Sequence, residues 1–399
     1  MFKKIIAVRT QHRPGPTRYQ ATFLDEVALR GCVVRSATTK DFSDLFPLAQ
    51  KLNSVNLPSN SDALHDRLLR SESSFLDIHT AQTRLGIADA LLGFSPGFFQ
   101  FVMEDAQAGE ILGSKLVGAC NIEGSAGTSK NPYLYYALEG SMLRLREIPG
   151  GQGPTTFGGN ILDEPYRQIP FYPFSKFLSY ARCWFLLRYP WAFRWPIFSE
   201  ILPIKVGPPN RENAFWTVFG QGKAGIEKSY EEITQNLHSQ SALIRESMPK
   251  VIPLQELRDQ VAENFDLSKP ESRGAKRNLE RAGFWAGNRY YVVDLGIIIE
   301  ATVGTLTFAR AGMESGFARL ESGTSFIMIG MVGSTNPDTG EVRITLTPYS
   351  SLPGNPGYIY MPRGSLERLE IRDADRKIVY ALPVPLDILE NFFSSAKRG

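Results

Sequence analysis

Apolar residues along this chain recur at two periods, and each period marks out elements. Spacing of three to four at Phe42, Leu45, Leu48 and Leu52 predicts a helix, with Thr39 or Asp41 placed to cap it. The short run Val33-Val34-Arg35 before it reads as a strand. Leu64, Leu68 and Leu69 predict a second helix that opens near Ser61 or Asp62. Next come two apolar runs divided by an Asp/Gly turn, "GFFQFVMEDAQAGEILGSKLVGACNIEG", which is the pattern of a hairpin. "PYLYYALEGSMLRLREI" continues with the alternation of a β-strand.

The Gly/Pro-rich stretch 146–160 reads as a loop with few side chains able to build a core. "ILDEPYRQIPFYPFSKFLSYARCWFLLRY" reads as a short strand, an irregular connector and a helix. A helix is expected from Ile226 to Leu237, and two more in "ELRDQVAENF" and "AKRNLERAGF". "YYVVDLGIIIEATVG", "SFIMIGMVG", "EVRITLTPY" and "LERLEIRD" then read as β-like runs separated by Gly, Asn, Asp and Pro. Residues 1–30 include "HRPGPTR", whose prolines suit an arm better than a regular element.

Composition narrows the class. A 399-residue chain is longer than one core usually serves, so two lobes are expected. With 44 Lys+Arg against 41 Asp+Glu, it lacks the positive field of a nucleic-acid binder. Cys32, Cys120 and Cys183 are isolated, which argues against a disulfide scaffold or a metal site and for a reducing, cytoplasmic setting. The aromatic segment Phe177–Pro203 is interrupted by Arg182, Arg188 and Arg194 and broken by Pro190 and Pro196. It therefore reads as a buried amphipathic helix followed by a packed aromatic loop, with no membrane contact. Acidic pairs at Glu104-Asp105 and Asp163-Glu164 sit beside predicted turns and read as solvated.

Several stretches, in order, resemble the arginine N-succinyltransferase family. "VVRSATTKDF" with "NLPSNSDALHDRLLRSESSF" is similar to its amino-terminal strand, turn and Ser-rich helix, and "FVMEDAQAGEILG" to its hairpin. "NPYLYYAL", "ILDEPYR", "NAFW", "NLERAGF" and "DLGIIIEA" resemble further family stretches over roughly residues 33 to 370. The resemblance implies an α+β fold of the GNAT type: a mixed sheet flanked by helices, in two GNAT-like lobes with a β-rich C-terminal part. The expected division is an arm at 1–30, a first lobe at 31–205, a second at 206–310 and the β-rich part at 311–399.

What the resemblance implies chemically is transfer of an acyl group from an acyl-CoA, succinyl-CoA in the family, to a small amine such as arginine. No metal and no nucleic acid is implied; a homo-oligomer or a protein partner is compatible. The family grips the cofactor pyrophosphate with a Gly-rich loop opening a helix, where backbone N–H groups and the helix dipole favour an anion. Arg167 holds the first position of that loop, but Pro170, Phe171 and Tyr172 occupy its later positions. Asn160 stands at a family cofactor-contact position, and Gly158 and Gly159 before it permit close backbone approach. Lys269 stands where the family has its proton-donating histidine; His12, His65, His79 and His238 lie elsewhere. The alternative is a non-catalytic relative on the same scaffold, with the aromatic segment 184–198 as its partner surface.

Overall fold

A computed structural model describes residues 4–9, 32–52, 57–84, 97–105, 116–126, 131–149, 153–167, 174–201, 213–235, 237–261, 273–309, 327–336, 338–352, 355–361, 363–371 and 378–384. Strands β1 (Lys4–Arg9) and β2 (Cys32–Ser36) precede helices α1 (Phe42–Leu52) and α2 (Ser61–Arg84). Then come β3 (Phe98–Asp105), β4 (Leu116–Glu123), β5 (Tyr133–Glu139) and β6 (Met142–Ile148). The short β7 (Thr155–Phe157) and β8 (Ile161–Leu162) lead through α3 (Glu164–Arg167) to α4 (Phe174–Arg188) and β9 (Ile197–Ile201). A π-helical α5 (Trp216–Lys223) is followed by α6 (Tyr230–Gln235), α7 (Leu237–Ser247), β10 (Val251–Pro253), α8 (Leu254–Gln260) and α9 (Arg273–Arg281). The remainder is β11 (Trp285–Tyr291), β12 (Ile297–Ala301), β13 (Ile327–Thr335), β14 (Val342–Leu352), β15 (Asn355–Met361), α10 (Arg363–Arg368) and β16 (Ile378–Pro383). This is the α+β architecture expected, with mixed sheet and flanking helices.

Two compact units form, each from separated stretches: Met1–Asn121, Gly159–Ala192 and Leu306–Gly399 in the first, Ile122–Gly158 and Phe193–Thr305 in the second. In the first unit the strand order is β4-β3-β2-β14-β13-β16-β1-β15, with β8 on β4. Because β15 also pairs with β14, the strands β14, β13, β16, β1 and β15 close into a ring, which satisfies backbone groups that an open edge would leave exposed. Within the expected arm, Lys4–Arg9 is thus a strand, parallel to β15 and antiparallel to β16. Val332, Tyr349, Met361, Leu366, Leu369 and Val379 fill the adjoining core.

Four expectations are corrected here. "LERLEIRD" is not a strand where it is described: α10 takes Leu366 to Arg368 and a turn follows, with Leu366 and Leu369, three apart, both buried. Leu69 lies outside the buried stripe of α2, which runs through Leu64, Leu68, Ser71, Phe75 and Ile78, and it is 48% exposed. Helix α4 is not amphipathic, since Phe174, Phe177 and every residue from Leu178 to Leu187 are buried. Trp184, Phe185 and Tyr189 are fully enclosed, so most of the aromatic segment is core and not a partner surface. Among the described residues, no helix is long and apolar enough to cross a membrane.

In the second unit the order is β10-β6-β5-β11-β12-β9-β7, with Ile122 and Glu123 of β4 against β7. The registered pairs are antiparallel except β7 with β9. Thr155 and Phe157 are buried strand residues, so the end of the Gly/Pro-rich stretch does contribute to a core. Side chains alternate across this sheet, and its two faces differ. Tyr136, Tyr290, Ile297 and Ile299 lie on one, buried, with Phe215 edge-on to Tyr136. The registers place Tyr133, Tyr135, Arg289, Tyr291, Ile298 and Glu300 on the other, together with Phe198, Glu200, Thr156 and Glu123.

Candidate functional site

Asn160 sits where a strand breaks its pairing. Strand β4 pairs Ala119 with Ile161 and Gly118 with Leu162 on one side, and Ile122 with Phe157 and Glu123 with Thr156 on the other. Gly158, Gly159 and Asn160 therefore oppose only Cys120 and Asn121, a three-for-two arrangement that is a β-bulge. At Gly118 the approach to β8 is close enough that a Cβ would lie 2.7 Å from the Ile161 carbonyl oxygen. Glycines at and beside a bulge let backbone lie near a neighbour without a clash.

The Asn160 side chain ties this bulge to α4. Its Nδ2 donates to the Ser175 carbonyl at 2.9 Å and to the Ser179 hydroxyl, and its Oδ1 accepts from the Arg182 guanidinium at 2.9 Å. Arg182 also donates to the Asn121 carbonyl at 3.3 Å, so one buried arginine reaches both sides of the bulge. A primary amide has two N–H donors, and both are used within the chain. What remains at this position for a ligand is the backbone of Gly159 and Asn160, both partly exposed.

Burial controls the ionisation of the cluster. It lowers the Arg182 pKa from its ordinary range, with the neighbouring Cys120 and Cys183 acting in the opposite sense. The same burial pushes both thiols up to about 12, although Arg182 pulls each down. At neutral pH both are thiols, and neither is a nucleophile. Arg182, Ser175, Ser179 and Asn121 were not singled out from sequence. The available signal was Arg182 itself: a charge inside an apolar helical run must meet buried partners.

Arg167 ends α3, and its side chain lies outside the described residues, as do Lys269 and the segment 168–173 with Pro170, Phe171 and Tyr172. The structure therefore brings Gly159 and Asn160 together at the bulge without placing the other two expected site residues. His65 packs edge-on against Phe42, with centroids 5.9 Å apart. His79, on α2, has its pKa lowered by burial and then by Arg188, opposed by Asp338. His12 and the His238 side chain are outside the described residues. The pair Glu104-Asp105 is not solvated: Glu104 takes ion pairs from Arg35 at 2.6 Å and Arg343 at 3.4 Å, and Asp105 is buried. Asp163 pairs with Lys51 at 2.6 Å. Among the described residues, no group of three or more His, Cys, Asp and Glu is placed to hold a metal ion.

No curated protein matches this chain. A solved structure from Pseudomonas aeruginosa, subunit AI of an arginine/ornithine succinyltransferase, is similar with a TM-score of 0.59 at 19% identity. That likeness covers 89% of this chain and 99% of the other, and it shows a shared fold. The profile of the family described as "Arginine N-succinyltransferase beta subunit" matches residues 32–308, from β2 through the end of the second unit. With well over half of its length matched, the chain belongs to the arginine N-succinyltransferase beta subunit family.

Proposed function

We propose that this protein is an N-acyltransferase that moves an acyl group from a CoA thioester, succinyl-CoA in the first instance, to an amine such as arginine. The observation that supports it is the glycine-bearing bulge beside α4, within the span that matches the family. In the reaction the free amine attacks the thioester carbonyl carbon, the C–S bond breaks, and the amine's surplus proton leaves as the CoA thiol forms. The chain's part is orientation: a fixed strand edge aligns the thioester against the amine, which lowers the barrier without covalent help. Asn160 contributes by holding that edge in place, because its side chain is committed to Ser175, Ser179 and Arg182. Gly159 and the Asn160 backbone are the positions proposed to face the cofactor, Arg167 its phosphates, and Lys269 the proton route.

Pro170, Phe171 and Tyr172 favour a second reading, in which the scaffold has lost CoA chemistry and serves as a binding or structural protein. Calorimetric titration of the full chain with CoA and succinyl-CoA, repeated on Lys269→Ala, separates the two. Micromolar binding by the wild type, retained in the variant with slower turnover, is the result expected of the enzyme. Absence of binding at millimolar CoA sinks the CoA-dependent reading and leaves the second.

A further inference from the structure

Cys120 and Asn121 are the two residues of β4 that the registered pairs to β7 and β8 pass over. The Asp163 N–H donates to the Val117 carbonyl at 3.0 Å, so that carbonyl points to the β8 side of the strand. Carbonyl direction alternates from residue to residue along a strand. The Asn121 carbonyl therefore points to the bulge side, and the Cys120 carbonyl to the other, toward β3. Arg182 holds the first at 3.3 Å. The second is held from β3, where Gln100 Nε2 donates to the Cys120 carbonyl at 2.9 Å and to the Phe101 carbonyl at 3.3 Å.

Gln100 is 1% exposed, and its main chain is clamped from two elements. Its N–H donates to Ser71 Oγ of α2 at 2.9 Å, and its carbonyl accepts from the N–H of Ala37, just past β2, at 2.8 Å. The side chain thus reaches β4 from a fixed base. Its Oε1 is buried without a partner among the described residues. Exchanging the two amide atoms would set that oxygen against two carbonyls, so the orientation is determined. A buried acceptor with no donor costs stability, which a methionine or leucine of similar volume would avoid. A glutamine kept in such a place with only its donor half in use is there for the donor.

We propose that Gln100 is a positioning residue for acyl transfer: it fixes the Cys120–Asn121 peptide across from Gly159 and Asn160, where the cofactor is proposed to lie. The inference rests on the acyl-transfer reading for what lies along this edge. A peptide group is planar and trans, so holding its carbonyl on the β3 side also sets the direction of its N–H toward the bulge. With Arg182 on the next carbonyl, two side chains restrain a stretch of β4 that the bulge deprives of regular pairing on one side. Without the Gln100 bond this peptide tilts, and a thioester aligned along the edge shifts against the amine. Misalignment of that kind costs rate more than binding.

The test is Gln100→Met in the full chain, which fills the volume while removing both the donor and the unmatched acceptor. Three results are expected together. The urea midpoint stays at or above that of the wild type, and amide hydrogen exchange quickens across 118–123 of β4. With succinyl-CoA and arginine, kcat falls about tenfold while KM for arginine is unchanged. A glutamine that only supports the fold gives the reverse, a lower urea midpoint with wild-type turnover; that result, or unchanged exchange across 118–123, overturns the proposal. Gln100→Leu carries the same test if the methionine variant fails to fold. The two readings fail differently: a wild type that neither binds nor turns over succinyl-CoA sinks acyl transfer and this role with it, whereas wild-type turnover matched by the variant sinks this role alone.

Discussion

Two polar clusters, one in each unit, handle buried polarity in opposite ways. Around Asn160 the donors and acceptors are largely closed on one another: amide to carbonyl and hydroxyl, guanidinium to amide and carbonyl. Around Tyr291 the side chains of Glu123, Glu200, Tyr135 and Tyr291 itself stand partly open to solvent. The first arrangement fixes backbone; the second leaves its polar side chains within reach of solvent.

The largest expected effect breaks the closed cluster. Asn160→Ala removes an acceptor from the buried Arg182 guanidinium and unties the bulge from α4. A loss of about 3 kcal/mol is expected in urea denaturation, because a buried charge is left short of a partner. A loss within experimental error would mean that the bulge needs no tie.

A smaller effect concerns pH and the open cluster's edge. Burial raises the Asp294 carboxyl to about 6 from 3.8, against the opposing hydrogen bonds from Gly296 and Tyr230. A folded-state pKa above the unfolded one means that the folded protein holds this proton more tightly. The associated stability is present below about pH 4 and is lost as pH rises through 6, on the order of 2 kcal/mol. Asp294→Asn keeps a carbonyl acceptor and is expected to flatten that stretch of the stability profile, measured by denaturation at pH 4 and 7. An unchanged slope would show that the group titrates as it does in water.

Smaller still, Glu123→Gln on the open face is expected to change stability by less than about 0.5 kcal/mol, since its surroundings are partly solvated. Together with Asn160→Ala it gives the contrast its sharpest form: one substitution costs stability and the other leaves it nearly unchanged. Finally, Cys120 and Cys183, raised to about 12 and buried beside Arg182, are expected to resist alkylation at pH 8 until the chain unfolds. Labelling of the native protein would show that the closed cluster opens.

What was legible in the sequence followed local period. The helix at Phe42 to Leu52 and the β alternation from Tyr133 to Ile148 read correctly because neighbours in sequence determine those elements. The ring of strands did not, because β1 finds its partners in β15 and β16 at the far end of the chain. A six-residue strand beside prolines looks like an arm until those partners are known. "LERLEIRD" satisfied both periods over a short run, and only packing of Leu366 and Leu369 decides it. Asn160 was singled out through a resemblance, but its bonding was invisible, since Ser175, Ser179 and Arg182 become neighbours only through the return of α4. The acidic sheet face was hidden for the same reason: Glu123, Glu200 and Tyr291 sit on three strands, and register alone aligns them.

The most direct measurement is mass spectrometry of arginine incubated with succinyl-CoA and the purified full chain, alongside a thiol assay for released CoA. The account expects N-succinylated arginine and free CoA in equal amounts, both reduced by Lys269→Ala. No product beyond the enzyme-free control, with no CoA binding, would contradict it and leave a scaffold of the same family without the family's chemistry.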